Sequence, residues 1–180
     1  MQLEDGFMEF IVAKCINGKR IGEGNCAVDI IKDDIGIDVS CTCLNGNFTN
    51  EKSLMQNFKL CGNDLDMLFT NKKMSHAINL YKKCYNKKLI DVKKQYNLKE
   101  LYYLNFISTS NSIYLLLLKI NVDAIDNIKE NYLSKTKKSI NIINIIDDKY
   151  GMTKLYKSKK RIELRFNKSV IHTSKTIKLY

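Results

Sequence analysis

The sequence predicts an α+β or mixed α/β fold, a central mixed sheet with flanking helices, and three observations predict it. Two long segments, 3–16 and 75–96, repeat apolar residues every three or four positions. Several short segments are rich in β-branched and aromatic residues or alternate in polarity. The two kinds follow in the order helix, hairpin, helices, strands, helix, hairpin, with neither repeat nor linker to divide the chain. At 180 residues one domain is expected, long enough to bury a core without staples.

In the first helix, Leu3, Phe7, Met8, Ile11, Val12 and Cys15 fall at helical spacing, and Gly18 ends it. "GKRIGEGN" reads as a glycine-rich loop. "CAVDII" and "IGIDVSCTCL" read as two strands of an antiparallel hairpin closed by the turn "KDD". Asn50 is a suitable N-cap for a helix over "EKSLMQNFKLC", with Glu51 in the first turn where a negative charge suits the dipole. "DLDMLF" predicts a short second helix. From Ser75 to Tyr96, the residues Ile78, Tyr81, Tyr85, Leu89, Val92 and Tyr96 mark a long helix whose lysine pairs occupy the other faces. "LYYLNFIST" and "SIYLLLLKI" are strands, the second apolar enough to be covered on both sides. Val122 to Leu133 predicts a helix, and "SINIINII", "MTKLYKS" and "KRIELRF" predict three more strands. In the last, Ile162, Leu164 and Phe166 share one face, and Arg161, Glu163 and Arg165 share the other.

Apolar content of 44% and charged content of 27% suit a globular protein. The six cysteines include no C-x-x-C pair, and His76 and His172 stand far apart, so buried reduced thiols are expected rather than zinc. That usage fits a reducing cytoplasm. Glu4, Asp5 and Glu9 interrupt the N-terminal apolar residues, which argues against a leader peptide. The longest apolar run, Ile113–Leu118, is too short to span a bilayer, so no membrane role is expected.

The net charge of +11 is uneven. Residues 1–70 hold 6 Lys/Arg against 11 Asp/Glu, and residues 71–180 hold 24 against 8. A one-sided basic excess of this size points to a polyanionic partner, nucleic acid before an anionic membrane. The competing reading of the same lysines is ordinary solvated surface.

The acidic part contains one chemically suggestive arrangement. Asp29 and Asp38 sit in the two strands of the first hairpin, and Asp38 and Ser40 project to one face while Ile37, Val39 and Cys41 project to the other. Strand pairing would bring the two carboxylates close, where they repel unless a cation lies between them. Mg²⁺ accepts one or two carboxylates, keeps several waters, and serves phosphodiester hydrolysis. Glu9 on the first helix or Glu23 in the loop would add a third acid. "GEGN" lacks the Gly-Lys-Ser/Thr of a phosphate-binding loop, so no nucleotide cofactor is expected.

An acid at a strand end, a hairpin, an acid on the next strand and a following helix make residues 1–60 resemble the PD-(D/E)xK nuclease superfamily, and within it the small type II restriction endonucleases. "GEGN", "GIDVSC", "NEKSLMQNF" and "YGMTKLYKSKKRIELRF" are similar to restriction-enzyme sequence. The resemblance implies a restriction-endonuclease-like core and Mg²⁺-dependent cleavage of duplex DNA by a homodimer. It implies metal ligation by Asp29 and Asp38. The family's lysine, which orients water and offsets transition-state charge, is replaced by Ser40. Lys52 and Lys59 on the following predicted helix, or Lys32 in the turn, are its substitutes, and Gln56 corresponds to a glutamine that some members place near the centre.

Lys157, Lys159, Lys160, Arg161 and Arg165 concentrate cations in the C-terminal strands and are the expected DNA contacts, with Arg161 or Arg165 suited to reading a guanine edge. Residues 1–70 are thus expected to be the metal-site part and residues 71–180 the nucleic-acid-binding part. Ser40 leaves room for a second expectation, a non-catalytic nucleic-acid-binding protein or phage-borne inhibitor built on the same fold.

Overall fold

The computed structural model describes residues 5–21, 26–43, 49–53, 65–108, 112–122, 132–135, 139–142, 153–157, 160–165 and 175–178. Its class is α+β. The helices are α1 (Asp5–Ile16), α2 (Leu65–Thr70) and α3 (Met74–Gln95). The strands, in chain order, are β1 (Lys19–Arg20), β2 (Ile30–Lys32), β3 (Ile35–Cys43), β4 (Thr49–Ser53), β5 (Glu100–Ser108), β6 (Ser112–Lys119), β7 (Tyr132–Lys135), β8 (Ser139–Ile142), β9 (Thr153–Tyr156), β10 (Arg161–Arg165) and β11 (Lys175–Lys178).

The strands form two sheets rather than one, ordered β1-β2-β3-β5-β6-β11 and β4-β10-β9-β8-β7. The chain divides into two compact units. Unit 1 comprises Met1–Asn50, Asp91–Ile120 and Lys168–Tyr180, and unit 2 comprises Glu51–Ile90 and Asn121–Asn167.

Unit 1 carries the mixed six-stranded sheet. β1, β2 and β3 are antiparallel neighbours, β3 and β5 run parallel, and β6 pairs antiparallel with both β5 and β11. α1 covers one face through Met8, Val12 and Ala13, which pack with Ile30, Val39 and Phe106. Full burial of an aliphatic side chain of this kind stabilises by about 1.5–3 kcal/mol. The predicted α1 stripe is rotated: Phe7 and Cys15 are exposed, and Ala13 lies inside. The helix closes on a Schellman turn, with Asn17 left-handed at φ 52° and the Gly18 N–H on the Ala13 carbonyl at 2.8 Å.

β6 is not covered on both faces. Leu116 and Leu118 are buried, whereas Leu117 is 57% exposed. A strand one position from the sheet edge lies partly beyond the reach of a 12-residue helix.

Unit 2 carries the second sheet, with β7, β8, β9 and β10 joined by antiparallel pairings. In this unit, α3 buries Ile78, Tyr81, Tyr85 and Leu89 of the predicted stripe, together with Met74, Ala77 and Cys84 beside it. Tyr81 donates its hydroxyl to the Tyr156 carbonyl, and the Tyr156 hydroxyl donates to Glu163 at 2.5 Å.

Two predicted helices are corrected. Residues 51–53 belong to β4, because in-sheet pairing beside β10 overrides a weak local helix preference; residues 54–61 lie outside the described residues. Tyr132 and Leu133 belong to β7 rather than to the end of a helix. No helix among the described residues is long and apolar enough to cross a membrane.

Candidate functional site at the β2–β3 hairpin

The hairpin is set by its turn. Lys32 opposes Ile35, leaving Asp33 and Asp34 as a two-residue loop with Asp33 left-handed at φ 54°, a conformation Asp tolerates better than bulkier residues. Lys32 pairs with Asp33 at 3.4 Å. Asp34 pins the turn to the start of β5: its carbonyl accepts the N–H groups of Lys99 and Glu100, and its carboxylate meets Lys99 Nζ at 2.8 Å. The Lys99 hydrogen bond holds the Asp34 carboxyl below the usual carboxylate range and raises Lys99 in return. Next to it, Glu100 takes hydrogen bonds from Lys119 and from the Tyr102 hydroxyl, which lower its pKa in that order.

At the other end of the hairpin the regular ladder stops. Ile30 opposes Ile37, yet the N–H of Asp29 also donates to the Ile37 carbonyl, at 2.9 Å. Two residues against one is the pattern of a β-bulge, which re-aims a side chain. The carboxylate of Asp29 turns onto β3 and accepts the backbone N–H of Val39 at 2.7 Å. A charge-assisted bond of this kind holds an acid firmly. The Asp29 carboxylate therefore lies against the peptide bond that joins Asp38 to Val39.

Asp38 is 8% exposed. It lies on the sheet face opposite α1, as strand alternation requires, together with Gly36 and Ser40. Across the parallel register, Asp38 stands beside Tyr103 and Ser40 beside Asn105, and both partners are buried. Leu118 and Leu116 oppose these from β6. A polar row of Asp38, Ser40, Tyr103 and Asn105 thus runs through an apolar layer. Sequence reasoning missed Asn105. Its signal is a lone amide in the apolar strand "LYYLNFIS", two positions from Tyr103 and so on the same face. Tyr103 itself is only 1% exposed and does not present a stacking surface to a base.

The remaining expected residues are dispersed. Glu9 on α1 forms an ion pair with Arg20 of β1 at 2.7 Å. Lys52 belongs to β4 in the other sheet. Glu23, Gln56, Lys59 and Lys159 lie outside the described residues. Lys160 meets Asp66 of α2 at 3.5 Å. Lys157 and Arg161 are half-buried, and Arg165 ends β10. The face that Arg161 and Glu163 share is not an open one, since Glu163 is buried beneath the Tyr156 hydroxyl. Of the cysteines, Cys84 is buried, Cys26 and Cys41 are half-buried and Cys15 is exposed, all four as free thiols.

Among the described residues, three or more His, Cys, Asp or Glu side chains do not converge in a metal-binding group. The acids at this end of the hairpin are Asp29 and Asp38. A pair of carboxylates would suit Mg²⁺, which takes one or two and retains waters, better than zinc, which wants three or four protein ligands. No family model matches the chain, and neither a curated protein nor a solved structure does.

Proposed function

We propose that this chain is a Mg²⁺-dependent endonuclease of the type II restriction kind, acting on duplex DNA. The observation that carries the proposal is the bond from Val39 N–H to Asp29, which draws one acid of the hairpin against the peptide unit of the other. Asp29 and Asp38 would hold the metal, whose chemistry is to activate water and stabilise charge on a phosphodiester oxygen. Asp38 lies on the face of the sheet opposite α1, and Asp29, just before β2, holds its carboxylate on the Val39 N–H. The order of helix, acid, hairpin and acid in unit 1 supports the restriction-endonuclease-like reading of the core. Two copies related by a two-fold axis would address the two strands of a palindromic site, in a reducing cytoplasm.

Charge supports a nucleic-acid partner. Unit 2 holds 19 Lys/Arg against 9 Asp/Glu, a net of +10, while unit 1 holds 11 against 10, a net of +1. Nearly the whole excess belongs to the unit without the acid pair.

The test is incubation with long mixed-sequence duplex DNA in Mg²⁺ and in chelator, for the wild type and for Asp38→Ala. Discrete fragments only with Mg²⁺, lost in the variant, are expected. Cleavage unchanged in Asp38→Ala overturns the assignment. Ser40 favours a second reading, binding without cutting, because a hydroxyl cannot supply the cation that the family places there. That reading expects retention of DNA on a gel in both buffers, with the duplex intact.

A further inference from the structure

Half of the net charge of unit 2 lies in residues 51–90, 8 Lys against 3 Asp/Glu, and none of those acids follows Asp66. From Met67 to Ile90 the chain contains six lysines and no acid. Burial sorts them by face. The inward side of α3 is apolar, while Lys72, Lys73, His76, Asn79, Lys83 and Lys87 are exposed. Positions 76, 79, 83 and 87 recur at helical spacing, so these side chains form one stripe along the outer surface. From Lys73 to Lys87 it extends about 21 Å at 1.5 Å per residue.

Three features separate this stripe from an ordinary wet face. A solvated helix face usually alternates sign, since opposite charges four apart stabilise and like charges destabilise; here Lys83 and Lys87 are four apart and the first acid on the stripe, Asp91, comes only at its far end. The first turn of α3 contains no acid, and Lys72 and Lys73 precede it, where the dipole disfavours cations. Lys72 is also left-handed, φ 56°, at the close of α2, a position that α1 and α3 give to Asn17 and Asn97. A long cationic side chain there gains none of the local bonding that makes asparagine favourable. Each feature costs helix stability and each keeps a positive charge on the same surface. Lys72, Lys73 and Lys83 form no ion pair with any described residue.

We infer that the outer face of α3, with Lys72 and Lys73 at its head, is the surface on which the phosphate backbone of duplex DNA lies. This rests on the nucleic-acid part of the proposed function and is independent of catalysis. It moves the principal phosphate contacts from the β9–β10 hairpin, where Lys160 is engaged by Asp66 and Glu163 is buried, to the helix. Contacts of lysine with phosphate carry no sequence information, so the stripe supplies affinity and orientation.

Fluorescence anisotropy of the full chain with a labelled mixed-sequence duplex, in chelator and at several salt concentrations, tests this. Each lost phosphate contact reduces the slope of log K against log salt by about 0.9. Lys73→Gln/Lys83→Gln is expected to lower the slope by about 1.8 and to weaken binding at least tenfold at 0.1 M salt, without lowering the thermal midpoint. Lys14→Gln/Lys19→Gln, a charge-matched pair exposed on unit 1, is expected to leave the slope unchanged. Equal slopes in both variants, whether both fall or neither does, would overturn the α3 surface while the nucleic-acid reading stands. A wild type that fails to bind the duplex at low salt, or binds only phosphatidylserine vesicles, removes the nucleic-acid reading and this surface with it.

Discussion

Asp29 Oδ2 accepts the backbone N–H of Val39 at 2.7 Å, across the β2–β3 hairpin and one residue beyond Asp38. One carboxylate thereby has two separable properties, an acceptor that completes the ladder and a charge that can meet a cation. Asp29→Asn keeps the acceptor and removes the charge, so the bond weakens but persists and stability should fall by about 0.5–1.5 kcal/mol. Asp29→Ala strips the Val39 N–H of this partner and should cost about 1–3 kcal/mol. Cleavage in Mg²⁺ should vanish in both. Urea unfolding beside the cleavage assay separates the two properties. Full cleavage by Asp29→Asn would reduce this residue to its structural part.

Gly36 tests the packing under the polar row. A Cβ there would stand 2.8 Å from Leu98 Cδ1, 2.9 Å from Leu101 Cδ2 and 3.1 Å from Val28 Cγ1. Those three side chains crowd the site from different directions, and Leu98, Leu101 and Val28 are all buried. Gly36→Ala should therefore destabilise by about 1–3 kcal/mol through overpacking. Thermal unfolding should show the loss, with a midpoint several degrees lower; an unchanged midpoint would mean that the leucines yield freely.

The turn makes a pH-dependent contribution whose sign is fixed by its shifts. Asp34 and Glu100 are both lowered in the fold, so what they add is present above their ordinary pKa values, 3.8 and 4.5, and fades as pH falls through the lower folded values. Lys99 and Lys119 are raised, so their share is present below 10.5 and fades as pH rises beyond it. Asp34→Asn should lower the thermal midpoint modestly at pH 7, and the gap from wild type should close toward pH 3. Added salt should also shrink the gap, because these pairs are exposed and screened. A gap constant from pH 3 to 7 would rule out the Asp34–Lys99 pair as its source.

Helical periodicity made α1 and α3 legible in the sequence and alternation made β3 so, whereas α2, β5 and β6 were legible from apolar and aromatic content, which located β6 without showing that one of its faces is open. The elements that rest on distant pairing were not. β1 is two residues long, and β4 has the composition of a helix start. β7 covers residues whose spacing also suits a helix. The division into two sheets was hidden for the same reason, since each sheet gathers strands from remote stretches of chain. At the candidate site, the shared face of Asp38 and Ser40 follows from alternation alone. The bond from Val39 to Asp29 does not, because it needs the bulge that ends the ladder. Asp29, Asp33 and Asp34 also have structural partners, in Val39, Lys32 and Lys99, which composition could not reveal.

The second sheet carries its own buried acid. Glu163 is 5% exposed and takes the Tyr156 hydroxyl at 2.5 Å, while the Tyr156 carbonyl takes the hydroxyl of Tyr81 from α3. Burial, with a smaller contribution from the charge of Asp66, pushes the Tyr81 phenol far above its ordinary pKa, so it stays a donor across the whole working range. Tyr81→Phe removes one neutral bond and should cost about 0.5–1.5 kcal/mol. Tyr156→Phe withdraws a donor from a buried carboxylate and should cost more, about 1.5–3 kcal/mol at neutral pH. Glu163→Gln keeps an acceptor for the Tyr156 hydroxyl while removing the charge, so combining it with Tyr156→Phe should cost less than the sum of the two single changes. Hydrogen exchange locates the effect: amides of β9 and β10 should lose protection in Tyr156→Phe, whereas those of β3 and β5 should lose it only as far as global stability falls. Additive losses in the double variant would show that the hydroxyl and the carboxylate are not coupled.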